Sequence, residues 1–291
     1  MTASLFKGCG TALVTPFIDG EVDYEAYAAL IDRQVAGGAD FLVALATTGE
    51  TPTLSAEEKV ALLRLTHGLA GGRPILVGCG SNSVPATLEN IKLLEPYDVD
   101  GWLVVVPFYN KPTQEGMYQY FKKIAESTDK PVIIYNVPGR TGANMTAQTC
   151  LRLAKDVPNI VGIKEASGKL EQVYEIIDGA PEGFVVLSGD DDLTLEMMKH
   201  GAAGCISVAS NVVPEKVKAM TDAALAGRFD EAGKTDETLR PLYKACFAES
   251  NPIPVKAALN LMGLCTKEMR LPLTEASPST VELMQGIIQA F

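Results

Sequence analysis

Lys164 stands at the end of a short apolar run, residues 160–164, and the turn residues Ser167 and Gly168 follow soon after it. A run of this length and composition predicts a buried strand that carries the lysine at its C-terminal end. Burial disfavours the charged form of an amine, and a neutral lysine can attack a carbonyl carbon to form a Schiff base. In the alternative interpretation, the Lys164 stem packs against the strand end while its ammonium group reaches water.

Two tyrosines are placed where a phenol could carry protons during such a reaction. Tyr135 ends another apolar run, residues 132–135, and we expect its ring to point into the same site. Tyr109 lies between Pro107 and Pro112, on a loop whose prolines restrict its conformation. A positioned tyrosine can act as a general acid or base, although either ring could instead serve only in packing.

Two further segments carry groups that bind carboxylates. Thr47 and Thr48 precede Gly49, so two hydroxyls and an exposed backbone amide could hold a small anion. Arg140 follows Tyr135 on a loop shaped by proline and glycine, and arginine binds carboxylates in bidentate geometry. The alternatives are an ordinary Thr/Gly turn and an arginine that faces water. Together the residues fit an amine nucleophile, proton-relaying phenols and carboxylate binders.

The elements that must position these residues are eight short apolar runs separated by helical patterns. The runs are rich in Val, Ile and Leu and mostly do not alternate with polar residues, which is typical of parallel strands covered on both faces. They comprise residues 10–14, 41–46, 75–79, 102–106, 132–135, 160–164, 184–187 and 205–208.

Helix-start signals follow several of these runs. Asp23 can cap one helix, and Ser55 with Glu58 forms a capping-box pattern at the start of another. Asp190 and Asp191, after the seventh run, are interpreted as caps of the helix that follows them. Eight strand–helix units predict a (β/α)8 TIM barrel, whose catalytic groups lie at the C-terminal ends of the strands. A doubly wound open sheet is the alternative, but it normally has fewer units and often a glycine fingerprint.

The pattern changes after Gly227, beyond which only helices are predicted, over residues 229–247, 253–262 and 279–290. We therefore expect a catalytic barrel in residues 1–226 and a C-terminal helical appendage in residues 227–291.

The composition is that of a globular protein and argues against several classes of function. Of 291 residues, 47% are hydrophobic, and the net charge is −11 with no basic run, so nucleic-acid binding is not expected. No apolar run approaches the roughly 18 residues of a membrane helix, and residues 1–7 lack the apolar stretch of a signal peptide, which predicts a cytoplasmic protein. The six cysteines and two histidines are scattered, and no glycine-rich phosphate loop follows a strand, so neither a metal nor a nucleotide cofactor is expected.

Most of the candidate residues lie in three motifs, TTGE at residues 47–50, YNVPGRTG at 135–142 and GIKE at 162–165. These motifs resemble the signatures of the dihydrodipicolinate synthase family, within the pyruvate-dependent class I aldolases. The resemblance covers essentially the whole chain, including the helical C-terminus. It implies condensation of pyruvate with aspartate semialdehyde by a homotetramer that needs no metal or organic cofactor. Ala46 departs from the family pattern, which usually has glycine before the threonine pair.

The resemblance also implies the roles of the catalytic residues. Lys164 would form a Schiff base with the keto group of pyruvate, and Tyr135 would donate and accept protons. Thr48 and Tyr109 would complete the proton relay of Tyr135, with Thr47 supporting it. Tyr109 would reach into the site of the neighbouring subunit, which implies a tight dimer that is commonly paired into a tetramer.

Substrate binding is implied in the same way. The pyruvate carboxylate would lie against Thr47, Thr48 and their backbone amides, near Ile206. Arg140 would hold the carboxylate of the semialdehyde and orient Tyr135.

Two other functions remain open at this point. An N-acetylneuraminate lyase or a keto-deoxy sugar-acid aldolase would keep Lys164 and Tyr135 but would cleave a sugar acid. Thr47 and Arg140 favour the synthase, because sialate lyases usually have serine at the first position and lack arginine at the second. A non-catalytic barrel that binds pyruvate would tolerate loss of the lysine or the tyrosine, and both are present.

The resemblance also bears on regulation, because many synthases of the family are inhibited by lysine in a cleft between two subunits. An ammonium group taken out of water must be paired, so such a cleft needs a carboxylate. The positions that inhibitable members use correspond here to Phe108, Ala56, Lys59 and Ala86, while Asn82 and Thr51 remain, and we therefore expect little inhibition.

Overall fold

The computed structural model describes residues 5–291. Residues 1–4, part of the segment considered for a signal peptide and of the expected barrel domain, lie outside the described residues. Within the described ranges, no helix combines the length and the apolar composition required to cross a membrane.

Eight parallel strands close into a barrel, in which each strand pairs with its neighbours along the chain and the last pairs with the first. The predicted (β/α)8 barrel is therefore confirmed, and the open sheet is excluded because the described sheet is closed. The strands are β1 (Gly8–Ala12), β2 (Phe41–Ala44), β3 (Ile75–Gly78), β4 (Gly101–Val105), β5 (Val132–Asn136), β6 (Ile160–Glu165), β7 (Val185–Ser188) and β8 (Gly204–Ser207).

The first strand begins two residues earlier than the sequence predicts, because Gly8 pairs with Gly204 of the last strand. A small antiparallel pair, Phe17–Ile18 with Glu21–Val22, lies outside the barrel sheet and was not predicted.

Helices connect successive strands, and their starts follow the capping signals. The Asp23 carboxylate accepts a hydrogen bond from the backbone of Ala26, and Ser55 and Glu58 form both bonds of a capping box. The connecting helices are α1 (Tyr24–Ala36), α2 (Ala56–Leu69), α3 (Val84–Leu94), α4 (Gln114–Ala125), α5 (Ala147–Asp156), α6 (Leu170–Gly179), α7 (Thr194–Lys199) and α8 (Pro214–Leu225).

Three more helices form the C-terminal part, α9 (Phe229–Ala245), α10 (Ile253–Leu261) and α11 (Pro278–Ile288). The prediction that this part is helical is confirmed, whereas its treatment as a separate domain stays a prediction. Its polar side chains make buried contacts with the barrel loops.

Side chains alternate along the strands and fill two cores. One core lies between the strands and the surrounding helices, and the other fills the inside of the barrel. Tyr135 belongs to the inner core, together with Val43, Leu76, Leu103, Ile133, Leu187 and Ile206.

A buried ion pair joins the C-terminal helices to the loop after β2. Lys256 Nζ lies 2.8 Å from Glu50 Oε1, and both side chains are fully buried. The other carboxylate oxygen of Glu50 accepts the backbone N–H of Arg270 at 3.2 Å. Burial lowers the pKa of the Lys256 ammonium group, while the Glu50 charge opposes that shift. Each charge is therefore tolerated only because the other is present.

We predict that Glu50→Gln lowers the free energy of unfolding by about 3–5 kcal/mol, because it leaves a buried ammonium group without a counter-charge. Urea unfolding followed by circular dichroism measures the change. The double substitution Glu50→Gln with Lys256→Met removes both charges and should recover much of the loss. If the single variant is as stable as the original chain, the ion pair does not hold the two parts together.

Candidate active site

The predicted nucleophile is buried inside the mouth of the barrel. Lys164 is 5% exposed and occupies the last but one position of β6. Its Nζ atom lies 4.2 Å from the ring centroid of Tyr135, which is 7% exposed on the neighbouring strand. The two residues are register partners in the pairing of β5 with β6. The alternative in which the lysine reaches water is therefore wrong.

The threonine pair forms a tight turn after β2. Thr47–Gly49 is a single 3-10 turn, and positive φ angles occur at Glu50, which follows it directly, and at Leu45, two residues before it. This strained backbone persists because its surroundings hold it, and the Glu50 side chain is fixed by Lys256.

The prediction that the Gly49 amide helps to bind an anion is wrong. The N–H of Gly49 donates to Ala46 O at 3.0 Å, so it closes the turn and is not free for a ligand. Within residues 5–291, the amides of Thr47 and Thr48 have no backbone partner. Thr48 is buried, and its hydroxyl oxygen accepts a hydrogen bond from Asn251 Nδ2 at 3.0 Å. The Thr48 hydroxyl proton and the two amides therefore remain available to a bound carboxylate.

Arg140 lies at the rim, on a short helical turn, Pro138–Thr141, that follows β5. Its side chain is exposed, and one guanidinium nitrogen donates to the backbone carbonyl of Asn251 at 3.3 Å. The remaining N–H groups can bind a carboxylate in the cavity beside it.

Two of the predicted site residues, Ile206 and Tyr109, do not line the cavity that contains Tyr135. Ile206 is buried in the inner core with Tyr135, at the end of β8. Tyr109 is 87% exposed with a φ of 72°, and it does not line the cavity that contains Tyr135. A relay from Tyr109 to Tyr135 is therefore not formed within one chain.

A cavity of about 520 Å³ opens above this site, between the strand ends and the C-terminal part of the chain. Tyr135, whose ring lies beside the Lys164 amine, lines this cavity. Its polar lining includes Thr47, Ser81, Tyr135, Arg140, Ser250 and Asn251.

Asn251 is the site residue that sequence reasoning missed. It donates to Thr48, its carbonyl accepts from Arg140, and its buried Oδ1 atom has no partner within the described chain. The sequence offers no spacing signal for it, since it lies 203 positions after Thr48.

The sequence predicted that the acidic residues after β7 cap the helix that follows, and this prediction is wrong. The Asp191 carboxylate accepts the backbone N–H groups of Val208 and Ala209, at 3.0 and 2.9 Å, and so fixes the turn after β8. Asp190 makes no side-chain capping bond either. Burial, followed by the Asp192 charge, raises the pKa of Asp190 to about 6, and the Lys164 charge opposes the shift.

Within residues 5–291, no cluster of three or more His, Cys, Asp or Glu side chains is arranged to hold a metal ion. The described cysteines are all unpaired thiols, five of them buried.

A closed (β/α)8 barrel with a buried lysine against a tyrosine at the strand ends defines a Schiff-base enzyme of the class I aldolase type. The model of the Dihydrodipicolinate synthetase family matches residues 5–291, and the chain belongs to this family.

Known relatives cover almost the whole chain. The 4-hydroxy-tetrahydrodipicolinate synthase of Thermotoga neapolitana is 47% identical over 98% of each chain. That of Phocaeicola vulgatus is 48% identical over 99% of this chain and 98% of its own. The crystal structure of dihydrodipicolinate synthase from Thermotoga maritima superimposes with a TM-score of 0.96, at 45% identity and 98% coverage of both chains.

The raised pKa of Asp190 predicts a pH-dependent effect on stability. The folded chain binds a proton more tightly at this carboxyl than the unfolded chain does, so its ionisation costs stability as pH rises from about 4 to about 6. Asp190→Asn should therefore raise the melting temperature at pH 7 and leave it nearly unchanged at pH 4. Exposed Asp129→Asn is the control and should show no such difference. A pH-independent effect of Asp190→Asn contradicts the assignment.

Proposed function

We propose that this chain condenses pyruvate with L-aspartate 4-semialdehyde to give 4-hydroxy-tetrahydrodipicolinate, a step of lysine and diaminopimelate biosynthesis. The observation that carries the proposal is the buried Lys164 amine, 4.2 Å from the Tyr135 ring centroid in the barrel mouth. Family membership over residues 5–291 and relatives that carry this activity in their names support it.

The chemistry follows from an amine in this position. Lys164 Nζ attacks the keto carbon of pyruvate, and loss of water from the adduct gives a protonated imine. The imine draws electrons from the adjacent methyl group, which loses a proton to form an enamine. The enamine carbon attacks the aldehyde carbon of the semialdehyde, whose oxygen gains a proton. The substrate amine then attacks the imine carbon and displaces Lys164, which closes the ring and frees the enzyme.

The side chains around Lys164 fit the proton transfers and the two carboxylates. Tyr135 is the phenol beside the amine, and we assign it the role of proton donor and acceptor. Thr48, with Thr47, binds the pyruvate carboxylate through its free hydroxyl proton and the two turn amides, beside Ile206. Arg140 at the rim binds the carboxylate of the semialdehyde.

The assembly and compartment belong to the same proposal. Tyr109 is 87% exposed on the loop beside the half-exposed Phe108, which suits insertion of its ring into the site of a second copy. We propose a homotetramer made of two such dimers, in which the Tyr109 of one chain completes the relay of Thr48 and Tyr135 in the other. The unpaired cysteines support a cytoplasmic location, where thiols stay reduced.

We predict that pyruvate and borohydride attach a reduced pyruvate adduct to the original chain and that Lys164→Ala abolishes this adduct, as measured by intact mass. Lys59→Ala is the matched control, because Lys59 lines the cavity that contains Tyr135, and it should keep the adduct. An undiminished adduct in Lys164→Ala would mean that another lysine is the nucleophile. The original chain should also consume pyruvate with aspartate semialdehyde and leave N-acetylneuraminate uncleaved, whereas cleavage of the sugar acid would support the competing function.

We predict that Arg140→Ala raises the apparent KM for the semialdehyde at least about tenfold and changes that for pyruvate little, because it removes a partner of only one substrate carboxylate. Steady-state kinetics with each substrate varied in turn provides the measurement. Arg152→Ala, which removes an arginine paired with Glu115 on the outer surface, should change neither constant. A selective rise in the pyruvate KM would show that the two carboxylate sites are reversed.

We predict that millimolar lysine leaves the activity nearly unchanged. In the cleft between two subunits, Lys59 would repel an ammonium group, and Ala86 provides no carboxylate to pair with it. Titration of lysine at subsaturating pyruvate tests this, and half-inhibition below about 1 mM, roughly 4 kcal/mol of binding, would contradict it. The double substitution Lys59→His with Ala86→Glu removes the repulsion and adds a carboxylate, so it should increase sensitivity to lysine.

A further inference from the structure

Two buried polar residues follow Tyr135 and Lys164 directly in the chain. Asn136 and Glu165 are register partners at the ends of β5 and β6, and both are at most 1% exposed. Asn136 Nδ2 lies 3.2 and 3.0 Å from the two carboxylate oxygens of Glu165. Because neighbouring residues on a strand face opposite sides, this pair lies outside the barrel while Tyr135 and Lys164 face its inside.

The pair is tied to the loops and helices around it. Asn136 Oδ1 accepts the backbone N–H of Met145 at 3.0 Å, and Glu165 Oε1 accepts that of Ser167 at 2.8 Å. Gln172 on α6 donates to Glu165 Oε2 at 3.3 Å. Within residues 5–291, no basic side chain forms a salt bridge with Glu165, so neutral donors alone hold this buried carboxylate. A buried charge without a counter-ion is costly, and an apolar pair at these positions would avoid that cost.

A β-bulge shifts the register between these two strands. Val132 pairs with Ile160, but Ile133 pairs with Gly162, so one extra residue, Val161, lies in β6. Val161 packs in the inner core, and a Cβ added at Gly162 would lie 2.9 Å from Ile133 Cδ1, so both positions face inwards. Beyond such a bulge, a slip of one residue turns a side chain to the opposite face of the sheet.

We propose that Asn136 and Glu165 are a positioning pair that fixes the register of β5 and β6 beyond the bulge and thereby holds Lys164 against Tyr135. The proposal rests on the proposed function, since it assigns these residues to the Schiff-base site. Neither side chain contacts substrate. Their effect passes through the backbone of the two residues that precede them.

If the hydrogen bond between Asn136 and Glu165 positions Lys164, each single substitution should lower activity. The double substitution, which exchanges the donor and the acceptor, should restore the hydrogen bond and the activity. Glu165→Gln sets an amide against the Asn136 amide, and Asn136→Asp sets a carboxylate against the Glu165 carboxylate. In the double variant, the new amide at 165 donates to the new carboxylate at 136. The backbone N–H groups of Met145 and Ser167 still find an oxygen, and the amides of Gln172 and Asn144, which now contact Glu165 and Asn136, can turn to match.

We expect Glu165→Gln to lower kcat and the rate of pyruvate adduct formation by about 10²-fold, as a displacement of about 1 Å can do, with KM values changed less than about threefold. The double variant should recover most of the loss. Asn159→Ala is the control, because Asn159 binds the carbonyls of Ala125 and Thr128 at the opposite end of β6, and its loss should lower the melting temperature without changing kcat.

Three results would overturn the proposal. The first is a kcat within about twofold of the original in Glu165→Gln. The second is a folded double variant no faster than Glu165→Gln. The third is a loss of kcat in Asn159→Ala equal to that in Glu165→Gln. If Asn136→Asp does not fold, comparison of kcat between Glu165→Gln and the double variant still tests the proposal. Absence of a pyruvate adduct in the original chain would instead refute the proposed function.

Discussion

The pairing of β5 with β6 is the interaction on which the site depends. It makes Tyr135 and Lys164 register partners, and it sets a ring and an amine 4.2 Å apart on two adjacent strands. Groups fixed on a barrel wall need little rearrangement before they react, which is how positioning lowers a barrier. Arg140 and the threonine turn lie instead in the segments that follow strands. They are held in turn by contacts with Asn251.

The structure contains two buried lysines with different electrostatic surroundings. Lys256 is fully buried and paired with Glu50 at 2.8 Å, so its charge is balanced within the fold. Lys164 is almost as buried, but within residues 5–291 no carboxylate lies within salt-bridge distance of its amine, which faces an aromatic ring. The first arrangement joins two parts of the chain, and the second leaves an amine available for reaction. Burial alone does not distinguish the two lysines. The group nearest to each amine does, a carboxylate for Lys256 and an aromatic ring for Lys164.

The sequence was sufficient for the parts of the structure that local patterns encode. The apolar run before Lys164 predicted its strand, and the Ser55 capping box predicted a helix start. The contribution of Asn251 could not be predicted, because a hydrogen bond across 203 positions leaves no periodic trace. Asp191 was misinterpreted for a related reason, since a helix cap and a contact with the next strand's turn need the same residue type. Asn136 and Glu165 were each included in a motif, but their pairing became visible only with the strand register.

The hydrogen bond from Asn251 to Thr48 also has a consequence for the order in which the chain acquires activity during synthesis. The last barrel strand ends at Ser207, and 251 − 207 = 44 residues must still be added before Asn251 is present. At about 5–20 residues per second, this takes roughly 2–9 s. Throughout that interval a ribosome can carry every barrel strand, while the threonine turn still lacks Asn251 and the Glu50 charge still lacks Lys256. Translation thus supplies the amine before the Asn251 contact that completes the threonine cradle, so a chain that terminates before Asn251 holds the nucleophile beside an incomplete cradle.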